Sequence, residues 1–179
     1  PTSAPNQTLI YDNHTYYQSV GFHKLWPTYA DPTSYPVLPI QNEQGFTLNM
    51  ELLEQHARNL AVKYIHCQKN WKPSPLASIR YLASYNEYNP DKIEFSANTL
   101  IPYVSYTITL PSPTLTGNYL VLVYDQDSGA YILSKRAVVF SNNIAIQADI
   151  NQSTTVLKRK SSQALNIELK YDPRQFNVQ

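Results

Sequence analysis

A chain of 179 residues is near the length of one ordinary domain, and a domain of this size buries about 70% of its unfolded surface, enough to fold without staples. The formal net charge is +1 with only 15% charged residues, so no basic face exists of the kind that phosphate binding uses, and nucleic acid is excluded as an expected partner. A single cysteine makes no internal disulfide and leaves the redox compartment open.

No apolar run approaches the roughly 20 residues needed to span a bilayer, and the polar start "PTSAPNQT" lacks the basic and apolar regions of a signal peptide. The chain is therefore expected to be soluble, whether complete, processed or trimmed. The sequons at Asn6, Asn13 and Asn151 are short enough to arise by chance and carry no weight. Two biases are informative, 15 tyrosines and only four glycines. Tyrosine favours pleated surfaces that are half buried and half wet. Scarce glycine leaves turns to Pro, Asn, Asp and Ser and removes any Gly-rich phosphate loop or dinucleotide fingerprint.

In chain order, strands are predicted at "SVGFHKLW" from Ser19 and at "YPVLPI" from Tyr35, where Pro36 and Pro39 remove ladder donors and place the segment at a sheet edge. In "GFTLNMELL", Phe46, Leu48, Met50 and Leu52 share one face while Thr47, Asn49 and Glu51 share the other, the alternation of a half-buried strand. Met50, Leu53, Ala57 and Leu60 also have helical spacing. Because the alternation begins upstream, the expectation is a strand ending near Leu53 and a turn from Glu54 to Asn59. Next come "LAVKYIHCQ" from Leu60, a short helical turn with Leu76, Ile79 and Leu82 three apart, and "KIEFSA" from Lys92. "YVSYTITL" alternates Val104, Tyr106, Ile108 and Leu110 against polar neighbours, and "NYLVLVYD", "QDSG" and "AYILSKRAVVF" read as a hairpin.

After Phe140 the polar "SNN" interrupts the pattern, and two further strands, "IAIQADI" and "QALNIELKY", flank the basic "KRKSS" loop. Many short strands with almost no helix predict an all-β fold, an immunoglobulin-like antiparallel β-sandwich. The expected domains are residues 1–141 as the sandwich, with 142–179 as additional strands that either complete it or open a second domain.

Candidate chemistry is sparse. In "KYIHCQKNWKPSP", Cys67 follows His66 directly, but adjacent strand residues point to opposite faces, so His66 cannot serve Cys67 as a base. Cys67 reads instead as a small packed hydrophobe. Cys-x-x-Cys, His-x-x-x-His, HExxH and Gly-x-Ser-x-Gly patterns are all absent, so neither a metal, a cofactor nor a nucleophile elbow is expected. Asp125 and Asp127 fall in a hairpin turn, where Asp is expected for local hydrogen bonds. Lys158, Arg159 and Lys160 read as a solvated loop.

Aromatic residues in loop-like segments are the candidate binding groups: Trp26, Tyr29 and Tyr35, with Tyr81, Tyr85 and Tyr88. Such rings stack on sugars, anchor protein partners, or cap the ends of a core. Trp26, Tyr29, Tyr35, Tyr85 and Tyr88 are taken as candidate partner contacts. Tyr64, Cys67, Trp71, Tyr106 and Tyr119 are taken as candidate structural core.

The strings "YIHCQKNWKPSPL", "YLASYNEYN", "FSANTLIPYVSYTITLP", "GNYLVLVYD" and "RAVVF", in that order, resemble the first domain of the type IX secretion system plug family of Bacteroidota. The likeness runs from about Ile10 to Asp149, and its most specific parts are Tyr64 to Leu110 and Gly117 to Phe140. It implies an immunoglobulin-like sandwich in a soluble periplasmic protein, with no enzymatic residues and no cofactor. The implied partner is the outer-membrane translocon barrel, whose periplasmic opening the full protein closes. His66, Cys67 and Trp71 fall at the family's His-Cys and Trp positions. The resemblance also implies that a chain ending at Gln179 is an N-terminal piece, with Ile144 onward opening the next domain.

The functional expectation is a noncatalytic interaction domain that helps seal a secretion translocon. The alternative is a carbohydrate-binding module using exposed Tyr and Trp. The accompanying geometric expectation is that Cys67 points into the sandwich, His66 faces the other side of its sheet, and Trp71 covers the end of the core.

Overall fold

In the computed structural model, the described residues are 7–152 and 160–171. The chain divides into two compact units, Pro1–Phe140 and Ser141–Gln179. The first contains β1 (His14–Thr15), β2 (Val20–Pro27), β3 (Val37–Pro39), β4 (Phe46–Leu52), β5 (Leu60–Cys67), β6 (Lys92–Phe95), β7 (Val104–Leu110), β8 (Gly117–Asp125) and β9 (Tyr131–Phe140), with one 3-10 turn at Ser78–Arg80. The second contains β10 (Ile144–Gln152) and β11 (Gln163–Tyr171).

Two sheets build the first unit. One runs β2-β4-β7-β6, antiparallel throughout, and the other runs β9-β8-β5 with β1 and β3 both on the free edge of β9. Reading β2, β4, β7 and β6 as strands A, B, E and D, and β5, β8 and β9 as C, F and G, gives the ABED and CFG sheets of an immunoglobulin sandwich. The short β3 lies parallel to β9, with Val37, Leu38 and Pro39 against Val138, Val139 and Phe140. Pro36 and Pro39 are tolerated there because this is a sheet edge.

The alternation read in "FTLNMEL" is the burial pattern of β4, whose Phe46, Leu48, Met50 and Leu52 are all fully buried. They sit opposite Leu110, Ile108, Tyr106 and Val104 of β7. Pairing with β2 on one side and β7 on the other holds this segment extended, and the competing helical spacing loses: β4 ends at Leu52, and Leu53 and Ala57 are exposed. The sandwich interior continues through Val62, Tyr64, Tyr119, Val121, Val123, Leu133 and Val139. Tyr119, near the start of β8, donates its hydroxyl to the Leu115 carbonyl at 2.6 Å. That bond is the tyrosine corner of immunoglobulin-like domains, and it pins the chain as it enters strand F.

The Glu54 to Asn59 turn is closed by charge. Arg58 meets both Glu54 oxygens, at 2.8 and 3.0 Å, and reaches Asp125 at 3.0 Å. Its remaining contacts are to the Tyr17 hydroxyl at 2.7 Å and, through its backbone N–H, to the Tyr106 hydroxyl at 2.8 Å. Tyr17 in turn donates to Glu54. Asp125 also accepts the N–H groups of Asp127 and Ser128, so the turn-forming aspartate read from the sequence has a second role as an ion-pair partner.

The helical turn expected around Leu76 to Leu82 is a single 3-10 turn, and only Leu82 of the three apolar residues is buried. In the second unit, β10 and β11 pair antiparallel so that Ile144, Ile146, Ala148 and Ile150 face Tyr171, Leu169, Ile167 and Leu165 on one side. Ala145, Gln147 and Asp149 face Lys170, Glu168 and Asn166 on the other. The hairpin is thus apolar on one face and polar on the other. Lys158 and Arg159 lie outside the described residues.

Candidate interaction surface

The register of β5 with β8 fixes where the His-Cys pair points. His66 lies opposite Tyr119 and Tyr64 opposite Val121, and Tyr119, Tyr64 and Val121 all belong to the sandwich core. The His66 ring is 5.2 Å from that of Tyr119 and 5.6 Å from that of Tyr81. His66 therefore faces the interior, and Cys67 faces the outside of its sheet. This reverses the expected orientation. Alternation does put the two residues on opposite faces, but Lys63 shares its face with Cys67, and a lysine marks the side away from the second sheet.

Cys67 is nevertheless buried. Burial pushes its thiol up from the ordinary range, against the opposing influence of the Leu120 N–H and Arg136. A thiol held protonated is a poor nucleophile. Burial likewise lowers His66, partly offset by its contact with the Thr116 backbone, and Nδ1 of the ring is buried without a hydrogen-bond partner. Among the described residues, no three His, Cys, Asp or Glu side chains are placed to hold a metal ion.

Tyr64, Tyr106 and Tyr119 are fully buried. Trp71 is not in the core. It occupies the turn after β5 with φ of 62°, and the Arg136 guanidinium stacks over its ring at 4.2 Å. Its positive φ follows from a tight turn in which the Trp71 N–H bonds Gln68 and the Gln68 N–H bonds Lys72. That turn swings the side chain outwards, away from the sandwich.

The candidate contact residues divide. Tyr35 is 85% exposed and Tyr85 is 80% exposed, Tyr29 is half exposed, and Trp26 is partly buried on β2. Tyr88 packs against the core, and its backbone pairs with Val62 along the free edge of β5, so it is a wall residue. Ring contacts among the described residues join Tyr64, Tyr81, Tyr88, Tyr119 and His66, and separately His14, Tyr16 and Tyr131. None joins Trp26, Tyr29, Tyr35 or Tyr85.

A second apolar surface was not singled out from the sequence. Ile93 and Phe95 of β6 lie opposite Tyr106 and Val104, on the core-facing side of their sheet, yet all four residues of β6 are exposed. The strand is the last of its sheet. In the β6–β7 loop, Leu100 is fully exposed and Ile101 is more than half exposed. The alternation in "KIEF" was legible, but the sequence does not say which strand ends a sheet.

These features define a class: an immunoglobulin-like β-sandwich with a tyrosine corner and an exposed apolar edge strand. Residues 18–141 match the family described as "Type 9 secretion system plug protein 1st domain". The chain belongs to that family. Among solved structures, a hypothetical protein from Parabacteroides merdae ATCC 43184 is similar, with a TM-score of 0.78 and 19% identity over 92% of this chain. At that identity the likeness concerns the fold. This chain spans 42% of that one. No curated protein matches.

Proposed function

We propose that the sandwich is a noncatalytic periplasmic interaction domain of a plug protein that helps close the periplasmic opening of the type IX outer-membrane translocon. The observation that carries this reading is the family match across residues 18–141. The exposed edge formed by Ile93, Phe95, Leu100 and Ile101 supports it, because an apolar strand edge with polar surroundings is a surface suited to a protein partner. A rigid scaffold suits a stopper, and here rigidity comes from the Arg58 network and the tyrosine corner.

Residues 142–179 are proposed to open a second β domain. A two-stranded hairpin alone is marginally stable, and the apolar face of β10 and β11 is the half-core that following strands would cover. The family description names a first domain, and the similar solved chain is more than twice as long as the matched stretch.

The glycan-binding alternative rests on Trp26, Tyr29, Tyr35 and Tyr85; Tyr29 and Tyr35 sit on the β2–β3 connection and Tyr85 on the β5–β6 connection, so a glycan would have to engage separate connections. The proposal is tested by affinity isolation of the tagged full-length protein from solubilised envelopes. Recovery of the translocon barrel, reduced when Phe95 and Ile101 are changed to Lys, is the expected outcome. Failure to recover it under conditions that preserve other envelope complexes counts against the reading.

A further inference from the structure

The outer face of the β9-β8-β5 sheet carries an apolar row turned away from the β2-β4-β7-β6 sheet. Leu120 and Leu122 of β8 lie on it, beside Ile65 and Cys67 of β5, and Leu120, Leu122 and Cys67 are buried. In register, Leu122 is opposite Ser134 and Leu120 opposite Arg136 of β9. Those same two β9 residues hold the N-terminal segment. Ser134 donates its hydroxyl to the Asp12 carbonyl at 2.7 Å, and the Arg136 guanidinium donates to the Tyr11 carbonyl at 2.7 and 3.1 Å. The stretch through Tyr11 and Asp12, just ahead of the edge strand β1, is therefore held on the same side of the sheet as the row, and burial, with the Cys67 thiol second, raises the Tyr11 phenol.

The way this segment is held differs from the rest of the sandwich. Its own ladder, β1, is two residues long. Elsewhere side chains stand in for a ladder. The Gln7 amide pairs with both the N–H and the carbonyl of Tyr131, and the Asn13 amide oxygen accepts the Arg136 N–H. Arg136 is the clasp: besides its bonds to Tyr11 it pairs with the Asp12 carboxylate at 3.2 Å and is pressed on its other side by the Trp71 ring. The segment's far end is fixed, because Tyr17 is tied into the Arg58 network. The family match begins at residue 18, so the segment precedes the matched residues.

We propose that residues 7–15 form a displaceable strap, clasped by Arg136 and Trp71, that opens without unfolding of the sandwich and thereby uncovers Cys67 and the apolar row of Leu120 and Leu122. Segments held by few buried contacts open at lower free energy than the core, in discrete local units. Tyr17 is the hinge end, and the Gln7–Tyr131 pair is the contact farthest from it.

The test is modification of Cys67 by N-ethylmaleimide in the folded full-length protein, read site by site by peptide mass. In the wild type, the rate is expected to be nearly independent of urea below the unfolding transition. In Arg136→Gln, which loses the clasp, modification is expected to accelerate by about tenfold or more with the unfolding midpoint little changed, given that hydrogen bonds from charged groups are the stronger ones. Should Arg136→Gln fail to fold, the wild-type urea dependence decides alone. A wild-type rate that rises with urea along the same slope as global unfolding, or a folded Arg136→Gln variant with an unchanged rate, overturns the proposal.

Discussion

Gly117→Ala is a substitution whose cost can be divided in advance. Gly117 opens β8 at φ of 153°, a conformation that L side chains rarely adopt. A β-carbon placed there would lie 2.5 Å from Nε2 of His66, the inward-facing ring beside Tyr119. The backbone part costs about 1–3 kcal/mol, and forcing a methyl into a packed site costs a further 1–3 kcal/mol or so. Removing the ring removes only the second part. In a His66→Ala background, Gly117→Ala should therefore cost about 1–2 kcal/mol less than in the wild type, a coupling of the size contacting residues show. Urea denaturation of the four proteins, at unchanged m, measures it. Equal costs in the two backgrounds, to within about 0.5 kcal/mol, would refute the assignment of His66 to the interior. Gly45 offers a contrast. Its β-carbon would meet the Leu110 carbonyl oxygen at 2.0 Å, which is backbone, so no side-chain deletion should rescue Gly45→Ala.

Arg58→Ala leaves Glu54 and the nearly buried Asp125 without their shared cation, and should cost about 2 kcal/mol, reduced from a fully buried pair because the guanidinium is one-third exposed; chemical denaturation reads it. Tyr119→Phe removes the tyrosine corner and strands the Leu115 carbonyl, for an expected loss of about 1–3 kcal/mol without change of fold by circular dichroism. His66 and His23 are both lowered from 6.5, in each case by burial first. In the window between the lower folded values and 6.5 the unfolded chain binds more protons, so stability is complete above that window and falls as pH drops through it. His66→Gln should flatten this dependence in thermal melts between pH 7.5 and 5.5, whereas an unaltered slope would assign it to other groups.

The sandwich was legible where one face of a strand is buried and the other wet. In β4 and β7, alternation names the inward residues directly, and the proline-bounded β3 announces an edge. The β9-β8-β5 sheet was harder because residues of its outer face, Leu120, Leu122 and Cys67, are buried as well. Cys67 and His66 therefore gave no inward preference of their own, and only Lys63 betrayed the outer side. Trp71 was misread for a related reason: large aromatics are buried on average, but the Gln68 to Lys72 turn throws this one onto Arg136. The apolar edge at Ile93 and Phe95 depends on which strand ends its sheet, which is a property of the assembled sandwich. Tyr88 reads as a loop residue in "SYNEYNP" until its backbone pairs with Val62.

Closure of the translocon is the proposed role. Its most direct measurement is the conductance of the purified outer-membrane barrel in a planar bilayer, before and after the full-length protein is added from the periplasmic side. A saturable fall in conductance is expected, weakened by Phe95→Lys with Ile101→Lys. Conductance unchanged at concentrations where the folded protein is in large excess would contradict it.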